Sequence, residues 1–86
     1  MASYSIEWKS SAAKELQKLS KPVIARILPA IEALADTPRP DGVRKLTGSE
    51  NTYRIRVGEY RVVYNILDQR LVIEIIRVRD RKDVYR

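Results

Sequence analysis

Residues 53–78 read YRIRVGEYRVVYNILDQRLVIEIIRV, and their alternation sets the architecture of the chain. Tyr53, Ile55 and Val57 alternate with Arg54 and Arg56, the period of a strand with one buried face. Gly58-Glu59 then supplies a two-residue turn with glycine first, the chemistry of a type II′ hairpin. That turn sets Val57 across from Tyr60 and Arg56 across from Arg61. Two guanidinium groups directly opposite each other on paired strands repel. The arrangement becomes favourable when an anion lies between them.

Strands are expected at 52–57, 60–67 and 71–78. Asp68-Gln69 reads as a second two-residue turn, which would place Tyr64 across from Ile73 and Val62 across from Ile75. Tyr60, Val62, Tyr64 and Ile66 then share the apolar face of Tyr53, Ile55 and Val57, and Leu71, Ile73 and Ile75 join it. The opposite face carries Arg54, Arg56, Arg61, Val63, Asn65, Val72, Glu74 and Ile76, with Glu74 diagonal to Arg61. A half-apolar exposed face on so small a protein suggests a protein partner.

Working back towards the N-terminus, residues 37–52 form a long connection, in which residues 43–46 suggest a short extended piece and Arg44 and Lys45 add charge. Ile24, Ile27, Leu28, Ile31, Leu34 and Ala35 recur at helical spacing, with Pro22 near the helix start and Pro29 inside it, where a kink or break is expected. A first helix carries Ala12, Leu16 and Leu19 on one side; Ser10 or Ser11 can cap it, with Glu15 within capping-box reach. Tyr4, Ile6 and Trp8 alternate with Ser5, Glu7 and Lys9, a short strand. The order β-α-α-β-β-β gives an α+β fold: a twisted, mainly antiparallel sheet of about four strands, with a helical hairpin on one face.

Eighty-six residues is the size of one domain, taken as 1–86, with a small core. Lys and Arg total 17 against 11 Asp and Glu, which favours a polyanionic partner, nucleic acid or acidic protein. Cysteine and histidine are both absent, so a disulfide framework, a Cys-ligated metal and the commonest general base are excluded. The start MASYSIEW has no signal-peptide pattern and no apolar run is long enough to span a bilayer, so a cytoplasmic location without membrane attachment is expected.

Arg54, Arg56, Arg61, Arg77, Arg79, Arg81 and Lys82 are expected near one edge of the outer face, with Tyr85 beside them. Arginine suits two-pronged phosphate contact, and an aromatic ring can hold an unstacked base for roughly 1–3 kcal/mol. Together they fit single-stranded RNA or another phosphodiester. RNA carries its own nucleophile, the 2′-hydroxyl. Cleavage therefore needs alignment, neutralisation of developing charge and proton transfer, and neither a metal nor a cofactor. Arginine keeps its proton at ordinary pH, which leaves Asp80, Glu59, Tyr85 or a lysine as the candidate base. A merely solvated or partner-binding basic face fits the same residues.

The run from Tyr53 to Tyr64, the tail from Arg77 to Tyr85 and the upstream Lys45-Leu46-Thr47-Gly48 resemble the RelE/ParE toxin superfamily over essentially the whole chain. The resemblance implies a toxin of a toxin–antitoxin pair. RelE-type members are ribosome-dependent endoribonucleases that cut mRNA in the decoding site. On that resemblance Arg61 matches the phosphate-stabilising arginine. Arg54 and Arg56 fall where some members have two lysines, which implies an electrostatic role. Arg81 matches a tail arginine that acts as acid or charge stabiliser, and Tyr85 the tyrosine that stacks on mRNA. Many relatives have Gly-His-Arg where this chain has Arg79-Asp80-Arg81, leaving Asp80 as a substitute base. The catalytic set implied is Arg56, Arg61, Arg81 and Tyr85, with Arg44, Lys45, Arg54, Arg79 and Lys82 contacting RNA. Partners implied are mRNA, the ribosome and a RelB-like antitoxin in a hetero-oligomer. A ParE-like gyrase-poisoning toxin and an inactive antitoxin-binding module are the alternatives.

Overall fold

The computed structural model describes residues 3–80. In chain order they form β1 (Ser5–Trp8), α1 (Ser10–Gln17), α2 (Lys21–Ala33), β2 (Arg44–Lys45), β3 (Thr52–Val57), β4 (Tyr60–Leu67) and β5 (Val72–Asp80). One sheet has the strand order β1-β5-β4-β3-β2. Its pairs are antiparallel except β1–β5, which is parallel. The α+β arrangement expected from the pattern is present, with five strands rather than about four. The additional strand is the two-residue β2, where Arg44 pairs with Arg54 and Lys45 with Tyr53.

Helix–sheet packing follows the apolar periodicities. Ala12 of α1 and Ile27 and Ile31 of α2, with Leu34 just beyond, bury against Ile55, Val62, Tyr64, Ile66, Ile73, Ile75 and Val78 of the sheet. No side chain caps α1; Lys9 is its extended N-cap residue, and Glu15 is engaged elsewhere, so the expected serine cap and capping box do not form. The helix α2 runs through Pro29 without a break. Pro29 and Ala25 are both exposed, so the carbonyl that loses its partner lies on the solvent side, where water can bond it.

The first hairpin has the expected register, Val57 with Tyr60 and Arg56 with Arg61. Gly58 has φ 59° and Glu59 does not share the positive φ, the pattern of a II′ turn. The second hairpin differs from expectation. Leu67 pairs with Val72, so the connection is four residues, Asp68 to Leu71. Asp68-Gln69 has no glycine to supply the positive φ of a tight turn; Leu71 adopts φ 55° instead and is exposed rather than in the core. This moves the register by two residues, placing Tyr64 opposite Ile75 rather than Ile73. A β-bulge then moves it by one more. Val63 pairs with Arg77 and Tyr64 with Ile75, so Ile76 has no opposite number, and Val62 faces Val78 rather than Ile75.

Tyr64 anchors the connection between α2 and β3. Its ring is fully buried and stacks on Tyr53, with centroids 6.2 Å apart, and its hydroxyl donates to the Pro38 carbonyl at 2.7 Å. Burial pushes the phenol up to about 12. Arg39 ties the same loop to the β4–β5 turn. Its Nη2 donates to Asp68 at 2.9 Å, its Nε to the Tyr53 hydroxyl at 3.2 Å, and its guanidinium lies 5.1 Å from the Tyr53 ring centroid. Tyr4 donates to the other Asp68 oxygen at 2.6 Å, joining the chain start to this cluster.

Candidate functional site

The outer face of the sheet is organised in rows set by strand register. Arg56, Arg61 and Arg79 lie side by side across β3, β4 and β5. The next row is Arg44, Arg54, Val63 and Arg77. Beyond the bulge come Thr52, Asn65 and Glu74, linked by side-chain bonds: Ser49 Oγ to Thr52 Oγ1, Thr52 Oγ1 to Asn65 Oδ1, and Asn65 Nδ2 to Glu74 Oε1. Glu74 therefore serves Asn65, not Arg61. Adjacent strands are about 4.8 Å apart and alternate residues about 6.8 Å apart, so the two arginine rows occupy a patch of nanometre size.

The bulge is what assembles those rows. Strict alternation from Ile75 would turn Arg77 and Arg79 towards the helices and Val78 outwards. The extra residue inverts the parity. Val78 enters the core at 2% exposure, and Arg77 and Arg79 join Arg61 outside.

A cavity of about 350 Å³ opens on this face, lined by Arg54, Arg61, Arg77 and Arg79, by Leu46, Val63 and Ile76, and by Lys9 and Thr52. Arg61 is only 4% exposed although charged. Removing a charge from water costs several kcal/mol, and like charges flank this one in register. An anion bound on this face lowers the repulsion among the arginines. A larger groove of about 550 Å³ runs along the edge of β3 between α2 and the 37–42 loop, lined by Ala30, Ala33, Leu34, Ile55 and Val57, with Arg56 at its border. Its lining is mainly apolar, with Arg44 and Arg56 as its cations.

Arg79 is placed by a residue that the sequence pattern marked only for a capping box. Glu15 of α1 accepts from the Val78 amide and from Arg79 Nε, each at 2.9 Å. Where β1 ends, the edge of β5 has no strand beside it, and the carboxylate takes the place of the missing carbonyl. The same carboxylate supplies Arg79 with a counter-charge, which lowers the repulsion between Arg79 and Arg61.

The remaining expected site residues fall as follows. Arg54, Arg61 and Arg79 line the cavity. Arg56 stands beside Arg61 by register, but is exposed and borders the β3-edge groove. Arg44 lies across from Arg54 in register and lines the β3-edge groove. Lys45 pairs with Tyr53, and so projects on the helix side of the sheet edge. Asp80 pairs with Tyr60 and borders the helix-side hollows with Val57 and Tyr60, on the face opposite Arg61. Arg81, Lys82 and Tyr85 lie outside the described residues. Arg77, expected near the outer face, lines the cavity with Arg54, Arg61 and Arg79, and Lys9 is an addition to the set. The alternation of Ser5, Glu7 and Lys9 was the legible signal for Lys9.

No helix among the described residues is long and apolar enough to cross a membrane. Comparison with known proteins agrees with the fold. The family model described as the ParE toxin of type II toxin–antitoxin systems, parDE, matches residues 6–85. A RelE-like toxin protein of Escherichia coli is 33% identical over 95% of this chain and 90% of its own length. The mRNA interferase toxin RelE of Escherichia coli is 30% identical over the same shares. Among solved structures, the archaeal RelE–RelB complex from Pyrococcus horikoshii includes a chain that superposes with a TM-score of 0.81 at 32% identity, covering 94% of this chain and 97% of that one. The chain belongs to the RelE/ParE superfamily of toxins of type II toxin–antitoxin systems.

Proposed function

We propose that the chain is a ribosome-dependent endoribonuclease that cuts mRNA in the decoding site, with no metal or cofactor, and so inhibits translation in the cytoplasm. The observation that carries this reading is the cavity where Arg54, Arg61, Arg77 and Arg79 converge around a short apolar floor. Its volume suits about one nucleotide. The arginines hold the scissile phosphate, and Arg61, desolvated, meets the charge that grows on the phosphoryl oxygens as the 2′-hydroxyl attacks. A single such donor typically contributes about 3 kcal/mol. Arg56 adds charge from the neighbouring strand, and Arg81 and Tyr85 act from the tail, Tyr85 by stacking on the mRNA. The products are a 2′,3′-cyclic phosphate and a 5′-hydroxyl. A RelB-like antitoxin neutralises the protein in a hetero-oligomer by covering the cationic sheet face and the apolar groove beside α2. Relatives crystallised with RelB support that partner.

Primer extension on mRNA from cells expressing the chain tests the reading; new ends within codons are expected, and their absence refutes it. The match to the ParE model favours one second reading, poisoning of DNA gyrase. Inhibition of supercoiling by the purified protein, with mRNA left intact, would select it.

A further inference from the structure

We propose that Lys9 is the general acid of this site, protonating the 5′-oxygen that leaves when the phosphodiester is cut. The inference rests on the cleavage reading above and names a residue that reading left without a role. Cleavage by the 2′-hydroxyl needs a proton donor at the departing oxygen. Among the described residues lining the cavity, four are arginines, which do not release a proton at ordinary pH, and none is a carboxylate. Thr52 is committed: its hydroxyl donates to Asn65 Oδ1 and accepts from Ser49. Asp80 and Tyr60 face the other side of the sheet. Among the described lining residues, Lys9 is the remaining one with a transferable proton.

Its placement is independent of the cavity outline. Ser5 pairs with Val72 and Glu7 with Glu74, so the odd residues of β1 share the outer face. The Lys9 amide donates to the Ile75 carbonyl at 2.9 Å, and its backbone is extended at φ −67° and ψ 140°. Lys9 thus continues the strand by one residue before α1 begins, and its side chain rises on the same face as Arg61. Two strand spacings, about 10 Å, separate β1 from β4 laterally, and Lys9, next after the Trp8–Ile75 pair, stands about three residues along β5 from the Arg61–Arg79 row. A lysine and an arginine reaching inwards from those strands span a phosphate between them.

In the step, the 2′-oxygen bonds to phosphorus and the P–O5′ bond breaks, its electron pair staying on the 5′-oxygen. That oxygen takes a proton from Lys9 Nζ, the 2′-hydroxyl proton goes to solvent, and Lys9 is reprotonated from water. The test uses the full chain with ribosomes programmed with mRNA carrying either an ordinary phosphodiester or a 5′-bridging sulfur at the cleaved position. A thiolate leaves without protonation. Lys9→Arg keeps the charge and lacks the acid; it should slow single-turnover cleavage of the oxygen substrate by about 100-fold or more, yet cut the sulfur substrate within about threefold of wild type. Lys9→Ala should show the same rescue. The side chain is exposed and only its amide joins the sheet, so both variants should melt as wild type does. Equal defects on the two substrates, or a Lys9→Arg variant as fast as wild type on oxygen, overturn the assignment. Intact mRNA with the wild-type protein instead overturns the cleavage reading, and the Lys9 role with it.

Discussion

Replacing Glu15 tests whether a helix side chain completes both the sheet and the basic pocket. Glu15→Ala removes the acceptor of the Val78 amide, and Val78 is 2% exposed, so water has little access to the orphaned group. A buried donor left without a partner costs about 1–3 kcal/mol. The ion pair with Arg79 is partly solvated, with side chains 37% and 25% exposed; solvent screening holds its share to about 1 kcal/mol or less. The sum is roughly 1–4 kcal/mol, and at about 4–8 °C per kcal/mol for a domain of this size the melting midpoint should fall by roughly 4–30 °C. Glu15→Gln offers a single carbonyl to two donors and should lose roughly half as much. Urea unfolding of Glu15→Ala, Arg79→Ala and the double variant separates the contributions. In the Arg79→Ala background the substitution should still cost about 1–3 kcal/mol, the share of the amide. A total loss below about 0.5 kcal/mol, within the range of an ordinary surface change, would refute the inference that Glu15 substitutes for a strand.

Other expected outcomes are more local. Arg61→Ala should slow mRNA cleavage by tens-fold or more, about 2–4 kcal/mol in the barrier, and restore growth on induction, while circular dichroism shows a folded chain. Tyr64→Phe leaves the Pro38 carbonyl without its donor and should cost about 1–2 kcal/mol in urea unfolding. It should also remove a base-sensitive component of stability. The folded-state value of the phenol, about 12, exceeds its ordinary 10, so this component is complete below pH 10 and lost as pH rises through about 12. Asp68 behaves oppositely. Hydrogen bonds from Arg39 and then Tyr4 hold its carboxyl below the ordinary range, so its contribution is present above about pH 4 and lost on acidification. Asp68→Asn should therefore destabilise at neutral pH, and the gap from wild type in thermal melts should close below that pH.

Much of the fold was legible because its signals are local. Alternation in 52–57 and the glycine-first turn at Gly58-Glu59 determine β3, β4 and their register without help from the rest of the chain. The second hairpin was not legible in the same way. Asp68-Gln69 fits a tight turn on spacing alone, but Asp68 is held by Arg39 and Tyr4, one 29 and the other 64 residues away, and Leu71 takes the positive φ that glycine would normally supply. Long-range contacts choose the loop there, and periodicity carries no record of them. Strand β2 was visible only as a suggestion, since two residues are too few to alternate.

The site shows the same division more sharply. Arg54, Arg56 and Arg61 follow from the first hairpin, whose parity the sequence states openly. Arg77 and Arg79 were expected beside them only as cations of the strand end and tail; a strict period-2 reading of β5 would send them into the core, where two unpaired guanidiniums could not remain. Either β5 ends early or it gains a residue. The run Val72-Ile73-Glu74-Ile75-Ile76-Arg77-Val78 contains the answer in its doubled isoleucine: two adjacent apolar residues before a basic one mark the point where the parity changes. The bulge at Ile76 keeps Val78 inside and turns both arginines out, and the added residue also places an isoleucine on the cavity floor. Stability and the anion pocket thus make the same demand of β5. Deleting Ile76 separates them. The remaining residues can keep the pairs Val63–Arg77 and Val62–Val78 in an unbulged ladder, so the chain should fold, while the local bend and floor that shape the pocket are lost.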